Sequence, residues 1–190
     1  LHIDLVRAPE QLDTVLAALP KHMQLSLGVI NGRNIWKNNY DNSLQLVQKA
    51  IDAIGAERVL LATSCSLLHS PYDLALETDE AILTPQIKNW MAFARQKVEE
   101  LIELKEILAG NKALLDANRA SLHEKSTASI VHKPAVKTRV QALTEADASR
   151  LHPFPIRQQA QEALLQLPLF PTTTIGSFPQ TEEIRKLRAD

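Results

Sequence analysis

Three apolar runs separated by two stretches of helical spacing constrain residues 1–64 more than any other feature of the chain. The runs are Leu1–Val6, Gln24–Ile30 and Arg58–Thr63. Leu25-Ser26-Leu27-Gly28-Val29-Ile30 and Val59-Leu60-Leu61-Ala62 carry few charges, the pattern of strands covered on both faces. The first intervening stretch sets Leu12, Val15, Leu16 and Leu19 at helical spacing, with Pro9 at the first helical position and Pro20 as its stop. The second sets Leu44, Val47, Ala50, Ile51 and Ile54 on one face, with Asp41 or Asn42 as its cap and Gly55 as its terminator. Strand, helix, strand, helix, strand predicts an α/β fold with a parallel sheet and right-handed crossovers. Three strands close neither a barrel nor a doubly wound sheet, so further strands are expected from outside this chain or from elsewhere in it.

Beyond the third run, residues 85–109 read as the longest helix. Thr84 caps it, Pro85 suits its first position and Gly110 follows its end. Its apolar face runs Ile87, Trp90, Met91, Ala94, Val98, Leu101, Ile102 and Leu108, and the Trp90/Met91 pair reads as core rather than as a cofactor contact. Residues 110–140 change character. Between Arg119 and Arg139, the basic residues Arg119, Lys125, Lys133, Lys137 and Arg139 stand against one acid, Glu124, and no periodicity survives beyond Leu122, which predicts an exposed connector. Thr144 with Asp147 resembles a capping box ahead of a short stripe of Ile156, Ala160, Ala163, Leu164 and Leu167. The Thr172-Thr173-Thr174 run is strand-like, Gly176-Ser177 turns the chain, and Thr181 opens a charged helix.

Composition narrows the class. Lys+Arg 21 against Asp+Glu 22 gives a formal net charge of −1, which argues against a nucleic-acid partner. No apolar run reaches the length of a membrane span. A single cysteine, Cys65, permits no internal disulfide and predicts a reducing, cytoplasmic setting. Opening on Leu1 inside an apolar run, without a signal segment, the chain is expected to be an excerpt of something longer.

Three constellations carry possible chemistry. Cys65 and His69 form Cys-x-x-x-His just after a strand, where ligand sites of α/β folds gather. Tetrahedral zinc needs three or four ligands, and His2, His22, His123, His132 and His152 are scattered, so the expectation is a small buried thiol. Gly28-Val29-Ile30-Asn31-Gly32-Arg33-Asn34 lacks the Gly-x-Gly-x-x-Gly of a dinucleotide site. It is expected to be a turn with Arg33 bonded to loop carbonyls, with a ligand site in which Arg33 pairs with a carboxylate as the alternative. Thr174-Ile175-Gly176-Ser177-Phe178-Pro179 offers backbone N–H groups and a hydroxyl ahead of a helix, a cradle for the carboxylate of a small ligand.

Pro171-Thr172-Thr173-Thr174-Ile175-Gly176-Ser177-Phe178-Pro179-Gln180-Thr181 resembles the opening of the C-terminal barrel of the cobalamin-independent methionine synthase family. Leu27-Gly28-Val29-Ile30-Asn31-Gly32-Arg33-Asn34-Ile35-Trp36 and Ser64-Cys65-Ser66-Leu67-Leu68-His69-Ser70-Pro71 resemble the last strands of its N-terminal barrel. The resemblance implies a partial (β/α)8 TIM barrel over 1–110, a partly helical inter-barrel connector over 111–167, and the first strand of the C-terminal catalytic barrel within 168–190. It implies transfer of a methyl group from 5-methyltetrahydropteroyltri-L-glutamate to L-homocysteine, forming L-methionine without cobalamin. Ile175, Gly176 and Ser177 match the family motif that contacts homocysteine or methionine. The family's zinc ligands and catalytic histidine are expected beyond Asp190, so no catalytic or metal-binding residue is assigned in this chain. Cys65 corresponds to a relic of the second barrel's zinc-cysteine segment. The partners implied are the two small-molecule substrates and the rest of the polypeptide, and the chain alone is expected to be inactive. An inactive binding or scaffold module is the alternative, and a small zinc protein built on Cys65 and His69 a third.

Overall fold

The computed structural model describes residues 1–174, 176 and 180–189. Two compact units divide the chain, Leu1–Lys133 and Pro134–Asp190.

In the first unit, strands β1 (His2–Asp4), β2 (Leu25–Ile30) and β3 (Val59–Thr63) form a parallel sheet in the order β1-β2-β3. Ile3 pairs with Leu27, and Leu27 with Leu61. This is the predicted parallel α/β unit. Leu25, Leu27 and Ile30 of the central strand are fully buried. The expectation of burial on both faces fails for β3, where Leu60 is 49% exposed. Among the described residues β3 pairs with β2 alone and forms an edge of the sheet.

Helix α1 (Gln11–Ala18) begins two residues later than expected. Pro9 sits in the preceding turn, where its carbonyl accepts the Leu12 N–H at 3.2 Å. Leu19 is extended, as a residue before proline must be. Helix α2 (Tyr40–Ile54) is capped by Asn39, not by Asp41 or Asn42. Asn39 keeps an extended backbone and its side chain accepts the Asn42 N–H at 3.2 Å. Gly55 ends α2 at φ 85°, a conformation that favours glycine. Leu12, Tyr40, Val47 and Ala50 pack with the strands in one core.

The predicted helix over 85–109 is two helices, α3 (Pro85–Asn89) and α4 (Ala94–Leu108). Thr84 caps α3 as expected, accepting the Ile87 N–H. Between the helices the chain is extended enough to pair with the loop after β2. Ala92 N–H donates to the Ile35 carbonyl at 2.8 Å, and Lys37 N–H to the Trp90 carbonyl at 3.0 Å. The predicted apolar face holds in part, with Leu101 and Leu108 packed against the core. Val98 and Ile102 are 49% and 56% exposed, whereas Lys97, Glu100, Leu104 and Ile107 point inward. Trp90 and Met91 are core, as read.

The exposed-connector reading of 110–140 is corrected over helix α5 (Lys112–Thr127), which packs on α2 and α4. Its buried positions are Asn118 and Ser121, polar residues that an apolar periodicity search passes over.

The second unit holds helices α6 (Pro134–Gln141), α7 (Phe154–Leu165) and α8 (Glu182–Ala189). Asp147 accepts both the backbone N–H and the hydroxyl of Thr144, at 2.8 and 2.9 Å. That cap closes a short 3-10 turn, not a long helix. Residues 172–174 form no strand, contrary to the expected first strand of a second barrel. A strand needs a neighbour's N–H and C=O groups, and no strand occurs among the described residues of this unit. Thr181 opens α8 as predicted, its hydroxyl accepting the Ile184 N–H. Ile175 and Ser177 lie outside the described residues.

Candidate functional site at the carboxyl ends of the strands

The carboxyl ends of β1, β2 and β3 bring together Asp4, the loop 31–39 and Ser64-Cys65-Ser66. Loop 31–39 must pass close over the end of β3. A Cβ on Gly32 would lie 2.8 Å from the Cys65 carbonyl oxygen and 2.9 Å from its Sγ, so only glycine fits. The Gly32 N–H donates to the Ser64 hydroxyl at 3.2 Å. The Ser70 hydroxyl donates to the Asn34 carbonyl at 3.3 Å.

Arg33 is not bonded to loop carbonyls. Its Nη1 meets Asp4 Oδ2 at 2.9 Å, a carboxylate of the chain itself and not of a ligand. The other Asp4 oxygen accepts the Val6 and Arg7 N–H groups, each at 3.0 Å. Burial pushes the Asp4 carboxyl up, but the Arg33 bond and the two N–H groups outweigh it and hold the group below its ordinary value.

Below loop 31–39, helix α4 presents two charged side chains that lie off the apolar face expected for this helix. Lys97 is fully buried and donates to Asn34 Oδ1 at 3.2 Å and to the Trp36 carbonyl at 3.1 Å. Burial pulls its ammonium below the usual lysine range. Glu100 accepts the Asn38 N–H through Oε1 at 2.7 Å, while its Oε2 is buried without a partner. Burial raises Glu100 to about 7, against the Asn38 bond and the Lys97 charge. Asn118 of α5 donates to the Asn38 carbonyl at 2.9 Å and accepts the Tyr40 N–H at 3.2 Å. The Tyr40 hydroxyl donates to Glu103 at 2.5 Å. Loop 31–39 is thus anchored from α4 and α5, so its shape is set before any ligand arrives. Lys125 lies over the Trp36 ring, 3.5 Å from its centroid.

A cavity of about 480 Å³ opens between this loop, the amino end of α2 and the segment after β1. Carboxamides, Lys37 and apolar side chains line it, and no carboxylate does.

Of the residues singled out in the sequence, Cys65 is half-buried and His69 exposed. Among the described residues no group of three His, Cys, Asp or Glu side chains stands together to hold a metal. Gly176 is exposed at φ 80°. Lys97, Glu100 and Asn118 were missed. Their only signal was a charged pair three residues apart in a helix that otherwise reads as amphipathic. No helix among the described residues is long and apolar enough to cross a membrane.

Residues 1–55 match the family model described as the N-terminal domain of cobalamin-independent synthase. Three curated relatives carry the name 5-methyltetrahydropteroyltriglutamate–homocysteine methyltransferase. That of Cytophaga hutchinsonii is 50% identical over 100% of this chain and 25% of its own length. That of Flavobacterium johnsoniae is 49% identical over 99% of this chain and 25% of its own length. That of Saccharomyces cerevisiae is 46% identical over 97% and 24%. The chain spans about a quarter of the length of the curated relatives it matches.

Proposed function

We propose that this chain, a member of the cobalamin-independent methionine synthase family, serves methyl transfer from 5-methyltetrahydropteroyltriglutamate to homocysteine. One observation carries that reading. Identity near one half extends over essentially the whole chain, to bacterial and fungal proteins bearing that name. The parallel strands, we infer, are consecutive strands of a (β/α)8 barrel. In that architecture ligands gather at the carboxyl ends of the strands, where loop 31–39 is anchored. We keep 1–110, 111–167 and 168–190 as barrel, connector and start of the catalytic barrel, with α5 as the connector's packed portion.

Ile175, Gly176 and Ser177 are our assignment for homocysteine. Gly176 supports it by taking a conformation that frees the chain to turn ahead of α8. Zinc is the metal proposed for the whole enzyme, with ligands outside this chain, and no step is derived through it here. One free thiol and no disulfide suit the cytoplasm. On this reading the 190 residues alone are inactive.

The test is to supply homocysteine and the triglutamate donor to the full-length protein that carries this chain, and to measure methionine. Turnover by the full-length protein and none by the 190 residues is expected. No turnover by the full-length protein would instead favour an inactive scaffold module.

A further inference from the structure

Two buried side chains of α4 hold loop 31–39 from below without bonding each other. Lys97 commits its ammonium to the loop, to Asn34 Oδ1 and the Trp36 carbonyl. Glu100 accepts the Asn38 N–H through Oε1, and its Oε2 is buried with no partner. Ionised, that carboxyl group has one oxygen cut off from water and unpaired, the costly case for a buried charge. Protonated, it keeps the Asn38 bond and carries no charge. Lifting the loop removes the penalty on the ionised form. Water then reaches Oε2, and Lys97, three residues away on the same helix, is free to pair with it. The other groups facing Glu100 leave this balance in place. Glu103 of α4 has the same sign and accepts the Tyr40 hydroxyl of α2. Glu99 of α4 is turned to Arg95, and the Lys37 ammonium of the loop donates to Asn89 Oδ1. On this side α5 presents Leu114, Ala117 and Asn118, none of them titratable.

We propose that loop 31–39 is a proton-dependent strap at the carboxyl ends of the strands: the neutral Glu100 side chain holds it closed, and loss of the Glu100 proton to solvent releases it. Burial pushes Glu100 from 4.5 up to about 7 in the closed loop. The closed and lifted forms therefore differ in bound protons between those values, and the bias toward lifting grows across that range and levels off above it. This inference stands on the first unit alone and does not depend on the methyl-transfer reading.

The experiment is amide hydrogen exchange of the full-length protein, read by mass spectrometry on residues 31–39 and on β2 (Leu25–Ile30). Each rate is divided by that of the unstructured segment at the same pH, which removes hydroxide catalysis. Between pH 5 and pH 7 the protection of 31–39 should fall about 30-fold and then level off. β2 should stay unexchanged over the same times, because only the loop lifts. Glu100→Gln keeps an acceptor for Asn38 and cannot titrate, so its loop should show the same protection at every pH. Unchanging protection of 31–39 in the unmodified protein, an equal fall in Glu100→Gln, or exchange of β2 in step with the loop would each overturn the proposal. Should Glu100→Gln fold poorly, the two segments of the unmodified protein decide by themselves: a fall confined to 31–39 and finished by about pH 8 upholds the strap, and any other pattern refutes it.

Discussion

Glu100 of α4 holds the backbone of Asn38 from below, its Oε1 accepting the Asn38 N–H at 2.7 Å. The same carboxyl group is 4% exposed and has a second oxygen with no partner. Its position ties the shape of loop 31–39 to its own protonation state.

Burial raises Glu100 from 4.5 to about 7, opposed by the Asn38 bond, Lys97 and Lys37, and reinforced by Glu103. An acid raised on folding binds its proton more tightly in the native state. The stability this contributes is fully present below the unfolded value and is lost as pH rises through the folded one. Between pH 5 and pH 8 the protein should lose on the order of 2 kcal/mol through this group. Glu100→Gln keeps an acceptor for Asn38 and cannot titrate, so it should flatten that slope. Urea melts across the range check it; an equally steep slope in the variant would refute the assignment.

Lys97→Met should act on the same group from the other side. Without the ammonium, the Glu100 midpoint should rise further, moving the stability loss to higher pH. The Trp36 carbonyl also loses its donor, which costs about 1–3 kcal/mol for a buried group left unpaired. A double-mutant cycle with Glu100→Gln should show coupling between the two positions. Strictly additive losses would show that the two charges act separately.

Gly32→Ala drives a methyl group against the Cys65 carbonyl and sulfur. Overpacking of this kind costs about 1–3 kcal/mol. Adding Cys65→Ala should recover only the part owed to the sulfur, because the carbonyl oxygen remains. Complete recovery in the double variant would show the backbone contact to be harmless.

Ser177→Ala tests the homocysteine assignment in the full-length protein. A hydrogen bond to the amino-acid end of the substrate, away from its thiol, serves binding in ground and transition states alike. Losing it should raise the homocysteine KM by a factor on the order of ten, equivalent to about 1.4 kcal/mol. The folate KM should hardly move. A lower melting temperature with an unchanged homocysteine KM would mean that Ser177 only supports the helix that follows.

What the sequence determined by itself was local or periodic. The apolar runs around Leu27 and Leu61 announce parallel strands, Gly55 announces the end of α2, and Thr84 announces the start of α3. Each follows from side chains acting on their own backbone or on a repeating face. The family signal had the same character, since it rests on contiguous motifs. Tertiary structure alone decided the rest. Nothing between Trp90 and Phe93 breaks a helix by propensity; the break exists because Ile35 and Lys37, more than fifty residues away in sequence, offer those residues other hydrogen-bond partners. Likewise, nothing in the sequence marks Lys97 and Glu100 as buried until the Trp36 carbonyl and the Asn38 N–H are placed against them. A buried charge is tolerated only where a distant part of the chain supplies its partner, and that partner has no local signature in the sequence.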